Sequence, residues 1–372
     1  MPSSHIRTLL LHESPDLDAA FSSWLLRRFG EDRYAGVRTA ELTFSPVGEL
    51  PEGRTAAELE VEGILAVDTG GGRLDNHGQA TPTSSSLLVA TDLEINNDRA
   101  LEKLLRFVHL NDVTGEGIRS SDPTDQMLSL PNILRGLNVL FPANPDKVVE
   151  EVHLLFDAIY ATEVEWFGAL SDAEAARWLT TPNGGRVMGI ISESSAAMKA
   201  GRFRKADIVV HRSSRFVGIT LTRRGKLDKP PLLLQSAALL RAAESLEGGR
   251  DRCDLTKDQA CAVGLQGIWF LHESLHIVSN GSNKKSGVPP TRIPWEIVLE
   301  LVACGVDLTR PLPARYCDSR CSVACRLGDI AQTRCSWRPS GVGQVEGRSE
   351  SRSPGSFQNP PRIDPSRSGS KS

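Results

Sequence analysis

The sequence predicts an α/β protein built around a mostly parallel sheet, and three observations carry that expectation. Short apolar runs alternate with amphipathic helical stretches over roughly the first 130 residues. A long helical stretch follows, and a second group of β-rich runs and helices continues to about residue 314. Acidic and histidine residues stand where the first apolar runs end, the edge at which open α/β sheets bind their ligands.

The first run, "IRTLLLH" (6–12), has the unbroken apolar character of a buried parallel strand. In "DAAFSSWLLRRFG" (18–30), Ala20, Phe21, Trp24, Leu25 and Phe29 recur at helical spacing before Gly30. "GILAV" (63–67) reads as another strand, ending directly on Asp68, and the glycines 70–72 allow a tight turn there. "SSLLVATDL" (85–93) is a strand or a helix start, and "DRALEKLLRFVHL" (98–110) is a helix closing before "NDVTGEG". Residues 131–184 read as a helical connector, with "PDKVVEEVHLLFDAIYATEVEWF" followed by "SDAEAARWL", where Ser171 and Glu174 have capping-box spacing.

Beyond it, "GRVMGII" and "ADIVVHRSSRFVGITLTRRG" read as strands, the latter as two β-rich halves about an Arg-Ser turn. The helix "LLLQSAALLRAAESL" and a last apolar stretch, "IPWEIVLELVACGV", complete a smaller α/β domain over 185–314. Residues 315–372, rich in Ser, Arg, Pro and Gly, are expected to form a disordered tail. Their Cys317, Cys321, Cys325 and Cys335 lack the paired C-x2-C knuckles of common zinc sites. The expected organisation is therefore a catalytic domain at 1–130, the connector, the smaller domain and the tail.

Composition narrows the function. Hydrophobic residues make up 40% and charged residues 24% of the 372, ordinary values for a globular protein, and no apolar run approaches the roughly 20 residues needed to span a bilayer. The start "MPSSHIRTLLLHES" has a short apolar core and no small-residue cleavage site, so a soluble, cytoplasmic protein is expected. All seven cysteines lie beyond residue 250, which fits reduced thiols better than a disulfide framework. A net charge of −3 argues against a protein that coats DNA non-specifically, and 5% aromatic residues offer little platform for stacking a long single strand.

Three clusters carry metal-binding chemistry: His12, Asp16 and Asp18; Asp68, Asp75 and His77; and Asp112, with His109 nearby. Two divalent ions about 3.5–4 Å apart need a bridging carboxylate and further anionic oxygens to offset their repulsion. A set rich in carboxylates and free of thiolates suits Mn²⁺ or Mg²⁺, with Co²⁺ as a further possibility. Taken singly, Asp16 or Asp18 would be read as a helix cap. His109, His153 and His211 are read as structural, and "TRRGK" (222–226) as a solvated hairpin end.

In order and approximate spacing, "HESPDLD", "AVD", "DNH" and "HLND" match the four motifs of the DHH phosphoesterase superfamily, which this chain therefore resembles. The close packing of motifs in "VDTGGGRLDNHG" is most similar to the branch of melanocyte-proliferating-gene-type exonucleases. The resemblance implies His12 and Asp16 on one metal, Asp18 and Asp112 on a second, and Asp68 as the bridge. Where the family reads Asp-His-His, this chain has Asp75, Asn76 and His77. Asn76 is then a weaker oxygen ligand, His77 the phosphate-facing residue, and Asp75 an orienting group.

The stretch from "KADIVVHR" to "SGVPPTRI" similarly resembles the family's smaller substrate-binding domain, although the usual glycine run after His276 is missing. Ser279, Asn280, Lys284, Lys285 and Arg292 join His276 as substrate-binding candidates. The implied function is two-metal hydrolysis of a phosphodiester or phosphomonoester in a nucleotide or short oligonucleotide, with a homodimer as a possible assembly. The alternative is a weakened, nucleotide-binding regulatory protein on the same scaffold.

Overall fold

The computed structural model describes residues 5–115, 120–181, 184–222, 233–282, 287–307, 310–317, 326, 327 and 330. The substrate candidates Lys284 and Lys285, nearly all of the "TRRGK" run and most of the tail lie outside the described residues.

The chain begins β1 (Thr8–His12), α1 (Leu17–Phe29), β2 (Glu41–Ser45), α2 (Ala56–Val61) and β3 (Ile64–Ala66). These strands form a three-stranded parallel sheet in the order β2-β1-β3. Alternation along β1 assigns its two faces. Leu9 and Leu11 enter the large core with α1, whereas Leu10 packs with Leu59 of α2 and with Ala66. Helices α3 (Ser85–Asp92), α4 (Glu102–Thr114), α5 (Pro123–Met127) and α6 (Leu130–Leu140) follow.

Next comes α7 (Pro145–Glu174), 30 residues long and so about 45 Å at 1.5 Å per residue. Its first half buries Val148, Val149, Val152 and Phe156 in the core of the parallel sheet, where Phe21 meets Phe156 edge-on at 4.9 Å. Its last turns bury Trp166, Ala169 and Ala173 against Met188, Ile190, Ala197 and Ala200. One helix thus contributes to two separate cores.

The remaining elements are β4 (Arg177–Thr180), β5 (Arg186–Ile191), α8 (Ala197–Phe203), β6 (Ile208–Arg212), β7 (Val217–Leu221), α9 (Leu234–Glu247), α10 (Lys257–Cys261), β8 (Gly264–Gln266), β9 (Trp269–Leu271), β10 (Ile277–Asn280) and α11 (Trp295–Val306). Their seven strands make one sheet in the order β4-β5-β6-β7-β10-β9-β8, antiparallel except for the parallel pair β5-β6. Val187, Ile208 and Val210 face the core shared with α9 and α11, whereas Met188 and Val209 face α8. The mixed α/β class expected from the sequence is the class observed.

Three readings of individual elements are corrected, one open reading is settled, and one strand is new. The "RWL" end of the connector stretch, read as helical, is strand β4, which pairs with β5 and so belongs to the second sheet. The strand β2 was not anticipated from the sequence, because "ELTFS" is mostly only part-buried and carries no continuous apolar run. The ambiguous segment at 85–93 is a helix, capped by the Ser84 hydroxyl accepting from Leu87 N–H. Helix α4 runs past residue 110 to Thr114 and stops where Gly115 adopts φ +67° and bonds back to Asn111, so Asp112 lies in its last turn. No helix starts at Ser171, because α7 passes through that capping-box spacing while burying Ala169 and Ala173. Among the described residues, no helix is long and apolar enough to cross a membrane.

Candidate metal centre

Strands β1 and β3 run parallel with Thr8 opposite Ile64 and Leu10 opposite Ala66. Carrying that register onward brings His12 level with Asp68, so the ends of two neighbouring strands deliver both side chains to one edge. The Nε2 of His12 lies 3.5 Å from Oδ2 of Asp68, and both residues are buried. Asp68 itself takes φ +57°, a left-handed conformation costly for a residue with a Cβ, and strain of this kind persists chiefly at functional positions. Gly70 at φ +76° and Gly71 at φ +69° continue the turn, which folds back so that Asp68 N–H donates to the carbonyl of Leu74.

The other carboxylates are fixed by backbone donors. Asp16 caps α1, its Oδ1 accepting from Asp18 N–H at 2.9 Å and Ala19 N–H at 3.0 Å. Buried Asp18 accepts from Ser85 N–H at 2.6 Å and Ser86 N–H at 3.1 Å, binding the start of α3 to α1. Asp75 accepts from Gly71 N–H at 2.6 Å and holds Nδ1 of His77 at 2.7 Å, which closes the glycine turn and orients the exposed imidazole.

Asn76 donates from Nδ2 to Oδ2 of Asp112 and to the carbonyl of Thr83, each at 3.0 Å. Its Oδ1 lies 3.0 Å from the Ser85 hydroxyl, which is also 2.8 Å from Oδ1 of Asp68. A hydroxyl has a single proton, so Ser85 serves one of these acceptors at a time.

Two groups of ligand atoms result. One atom from each of His12, Asp16 and Asp68 lie within 4.8 Å of one another, and so do atoms of Asp68, Asp75 and His77. Asp68 belongs to both. Asp18 belongs to neither, with both its oxygens already accepting N–H bonds, and Asp112 reaches the groups through Asn76.

Electrostatics distinguish this edge from ordinary surface. Among the described residues, no lysine or arginine forms an ion pair with Asp16, Asp18, Asp68, Asp75 or Asp112; the ion-pairing partners are histidines. Burial, and then the charge of Asp68, push the Asp18 carboxyl well above its ordinary range. Solvent reaches Asp16, yet desolvation followed by Asp68 raises its carboxyl as well. Asp112 is raised to about 6 by burial and by Asp16 and Asp68. Burial lowers the His12 pKa, but its bond to Asp68 and the neighbouring carboxylates outweigh this and leave it raised. The bond to Asp75 raises His77.

These residues fit a hard divalent cation. The donors are carboxylates and imidazole without thiolate, and among the described residues no lysine or arginine is ion-paired with them and the buried Nδ1 of His12 has no hydrogen-bond partner.

The structure places the other described candidates in and beside the second sheet. Asn280 is buried, donating to the carbonyls of Ile268 and Pro289 and accepting from Thr291 N–H, so its amide clamps the loop after β10. Ser279 pairs within the sheet against Gly218 and Phe270, the half-buried His276 accepts at its carbonyl from Leu221 N–H, and Arg292 is exposed. None of the four makes a hydrogen bond or ion pair to the carboxylate clusters. His153 is buried between Ser23 and Ala20, and burial lowers its pKa to about 3; His211 bonds the carbonyl of Ser192. Both are structural, as expected from the sequence.

Sequence reasoning missed Ser85 and Ser86. Their signal was the serine run before Leu87, a helix-start composition that presents backbone N–H groups to an acid.

No family model and no curated protein matches this chain. Among solved structures, one titled as a member of the s1p family of ribosomal proteins, DHH domain, aligns over 80% of this chain and 86% of its own at 12% identity. Its TM-score is 0.26, a likeness too slight to carry an argument about fold or chemistry.

Proposed function

We propose that this chain is a metal-dependent phosphoesterase of the DHH type, acting on a phosphodiester or phosphomonoester of a nucleotide or short RNA. The observation that supports it best is Asp68, strained, buried and common to both ligand groups, as a bridging carboxylate must be. His12, Asp16 and Asp68 would hold one divalent cation, and Asp68 with Asp75 and Asp112 a second, Mn²⁺ being the first choice, with His77 left to face the phosphate. When bound, such ions polarise the phosphate and lower the pKa of a water.

The protein's own groups account for the rest. His77, kept protonated to higher pH by Asp75, donates to a phosphate oxygen. Asp112, raised to about 6 in the metal-free protein, is mostly deprotonated at neutral pH and is then available as a ligand. Ser85 and Asn76 keep Asp68 and Asp112 at a set separation. The test is hydrolysis of bis-p-nitrophenyl phosphate with Mn²⁺, Mg²⁺ or EDTA. Turnover that needs Mn²⁺ and stops with EDTA is expected; equal turnover in EDTA would overturn the proposal.

Asn76 favours a second reading, a nucleotide-binding regulatory protein, because its amide is committed to Asp112, Thr83 and Ser85 where an imidazole ligand would stand. That reading predicts nucleotide binding without turnover in the wild type and activity only in Asn76→His.

A further inference from the structure

Beside the candidate metal centre, on the Asp16 side, lies a cleft of about 230 Å³ bordered by Asp16, Asn111, Arg135 and Asn138, with Pro131 and Leu134 as apolar wall. It is smaller than the roughly 300–1,000 Å³ of pockets that take a whole drug-sized ligand, so it suits one group of a substrate. Arg135, exposed on α6, makes no ion pair or hydrogen bond with any described residue, unlike Arg33, Arg54 and Arg73, each matched to a carboxylate. The amide of Asn138 reaches only the carbonyl of Pro15, at 3.5 Å.

A positive, planar donor that lines one cleft with two amides has the chemistry of an oxyanion holder. Asp68 shares one ligand group with His77 and the other with Asp16, and Asp16 borders this cleft, so a ligand that spans both groups reaches it.

We infer that Arg135 holds a second phosphate of the substrate, one linkage from the phosphate at the metal centre, with Asn111 and Asn138 as neutral donors. This rests on the phosphoesterase reading and narrows it to substrates carrying two neighbouring phosphates. The selectivity arises from an unpaired guanidinium, which stabilises an added anion and gives a monophosphate nothing beyond its first contact.

Calorimetric titration of the full chain with ADP and with AMP, each with and without Mn²⁺, tests the inference in wild type, Arg135→Ala and Arg135→Lys. The wild type is expected to prefer ADP. Arg135→Ala should weaken ADP by about ten- to a hundredfold, the scale of a charge-assisted hydrogen bond, while changing AMP less than about threefold. Arg135→Lys should recover part of the loss, since the charge remains but the fork is gone. Because Arg135 is exposed, the variants should melt as the wild type does. Equal ADP affinity in Arg135→Ala and wild type, or a wild type that does not prefer ADP, overturns the inference. Mn²⁺ binding, read separately by electron paramagnetic resonance, reports on the parent reading: its absence would sink the metal centre, whereas its presence with an unchanged Arg135→Ala would sink only the subsite.

Discussion

The edge of the parallel sheet and the loop after β10 use the same polar residue types in opposite ways. In the loop, Asn280 accepts and donates until its amide is spent, and Thr291 and Arg292 N–H both reach the carboxylate or amide that suits them. At the sheet edge, burial and the charge of Asp68 hold the carboxyls of Asp16, Asp18 and Asp112 above their ordinary range, no described lysine or arginine is ion-paired with them, Asp68 is strained, and the buried Nδ1 of His12 has no partner among the described residues. Polar groups that satisfy each other stabilise a fold. Polar groups held together at a cost are kept for something that binds them.

The largest test of that contrast is Asp68→Asn. It removes the carboxylate common to both groups, and Mn²⁺ affinity should fall by more than the roughly 10–100-fold that outer contacts cost. Binding that survives unchanged, measured by electron paramagnetic resonance, would break the comparison. Ser85→Ala should fall within that 10–100-fold range, because the hydroxyl sits on Asp68 without belonging to either ligand group.

The metal-free protein should also respond to pH. Asp112 has a folded pKa raised to about 6 from an ordinary value near 3.8, so its contribution to stability is complete below the ordinary value and is lost as pH rises through 6. The raised pKa values of Asp16, Asp18 and His12 act in the same direction. Buried His153, held near 3, acts oppositely between about pH 3 and 6.5, so the effect is read as a difference: the melting temperature of wild type relative to Asp112→Asn should fall by a few degrees between about pH 4 and pH 7 in the metal-free protein, and Mn²⁺ should restore it. A difference between wild type and Asp112→Asn that stays constant or grows over that interval would contradict the reading.

Smallest in its effect on binding, Asn280→Ala should destabilise the fold by about 1–3 kcal/mol through unsatisfied carbonyls and N–H groups, yet leave Mn²⁺ affinity within about twofold. A large loss of Mn²⁺ affinity in a well-folded Asn280→Ala would join the two regions that the hydrogen bonds keep apart.

Much of the site was legible because its residues follow features of local sequence. An apolar run predicts a buried strand, and the residue at its end is exposed to whatever lies beyond the sheet; hence His12 and Asp68 could be paired in advance. The glycines after Asp68 likewise announced a turn. Ser85 was not legible, because its importance depends on two acids, 17 and 67 residues before it, meeting the start of α3. Nor was the continuity of α7, where burial of Ala169 and Ala173 overrode a local start signal at Ser171.

From the sequence alone came the α/β class, the strand–loop–helix entry to the site and the acidic set itself, since all three depend on period and residue type along a short span. Tertiary structure decided which acids share a ligand group, that Asp18 accepts from the first N–H groups of α3, that Asn280 is a loop clamp, and that Arg135 lines the Asp16 cleft without an ion pair or hydrogen bond to any described residue. The physical reason is that a hydrogen bond or an ion site depends on distances of a few ångströms between segments far apart in the chain, and only the packing of helices onto the sheet sets those distances.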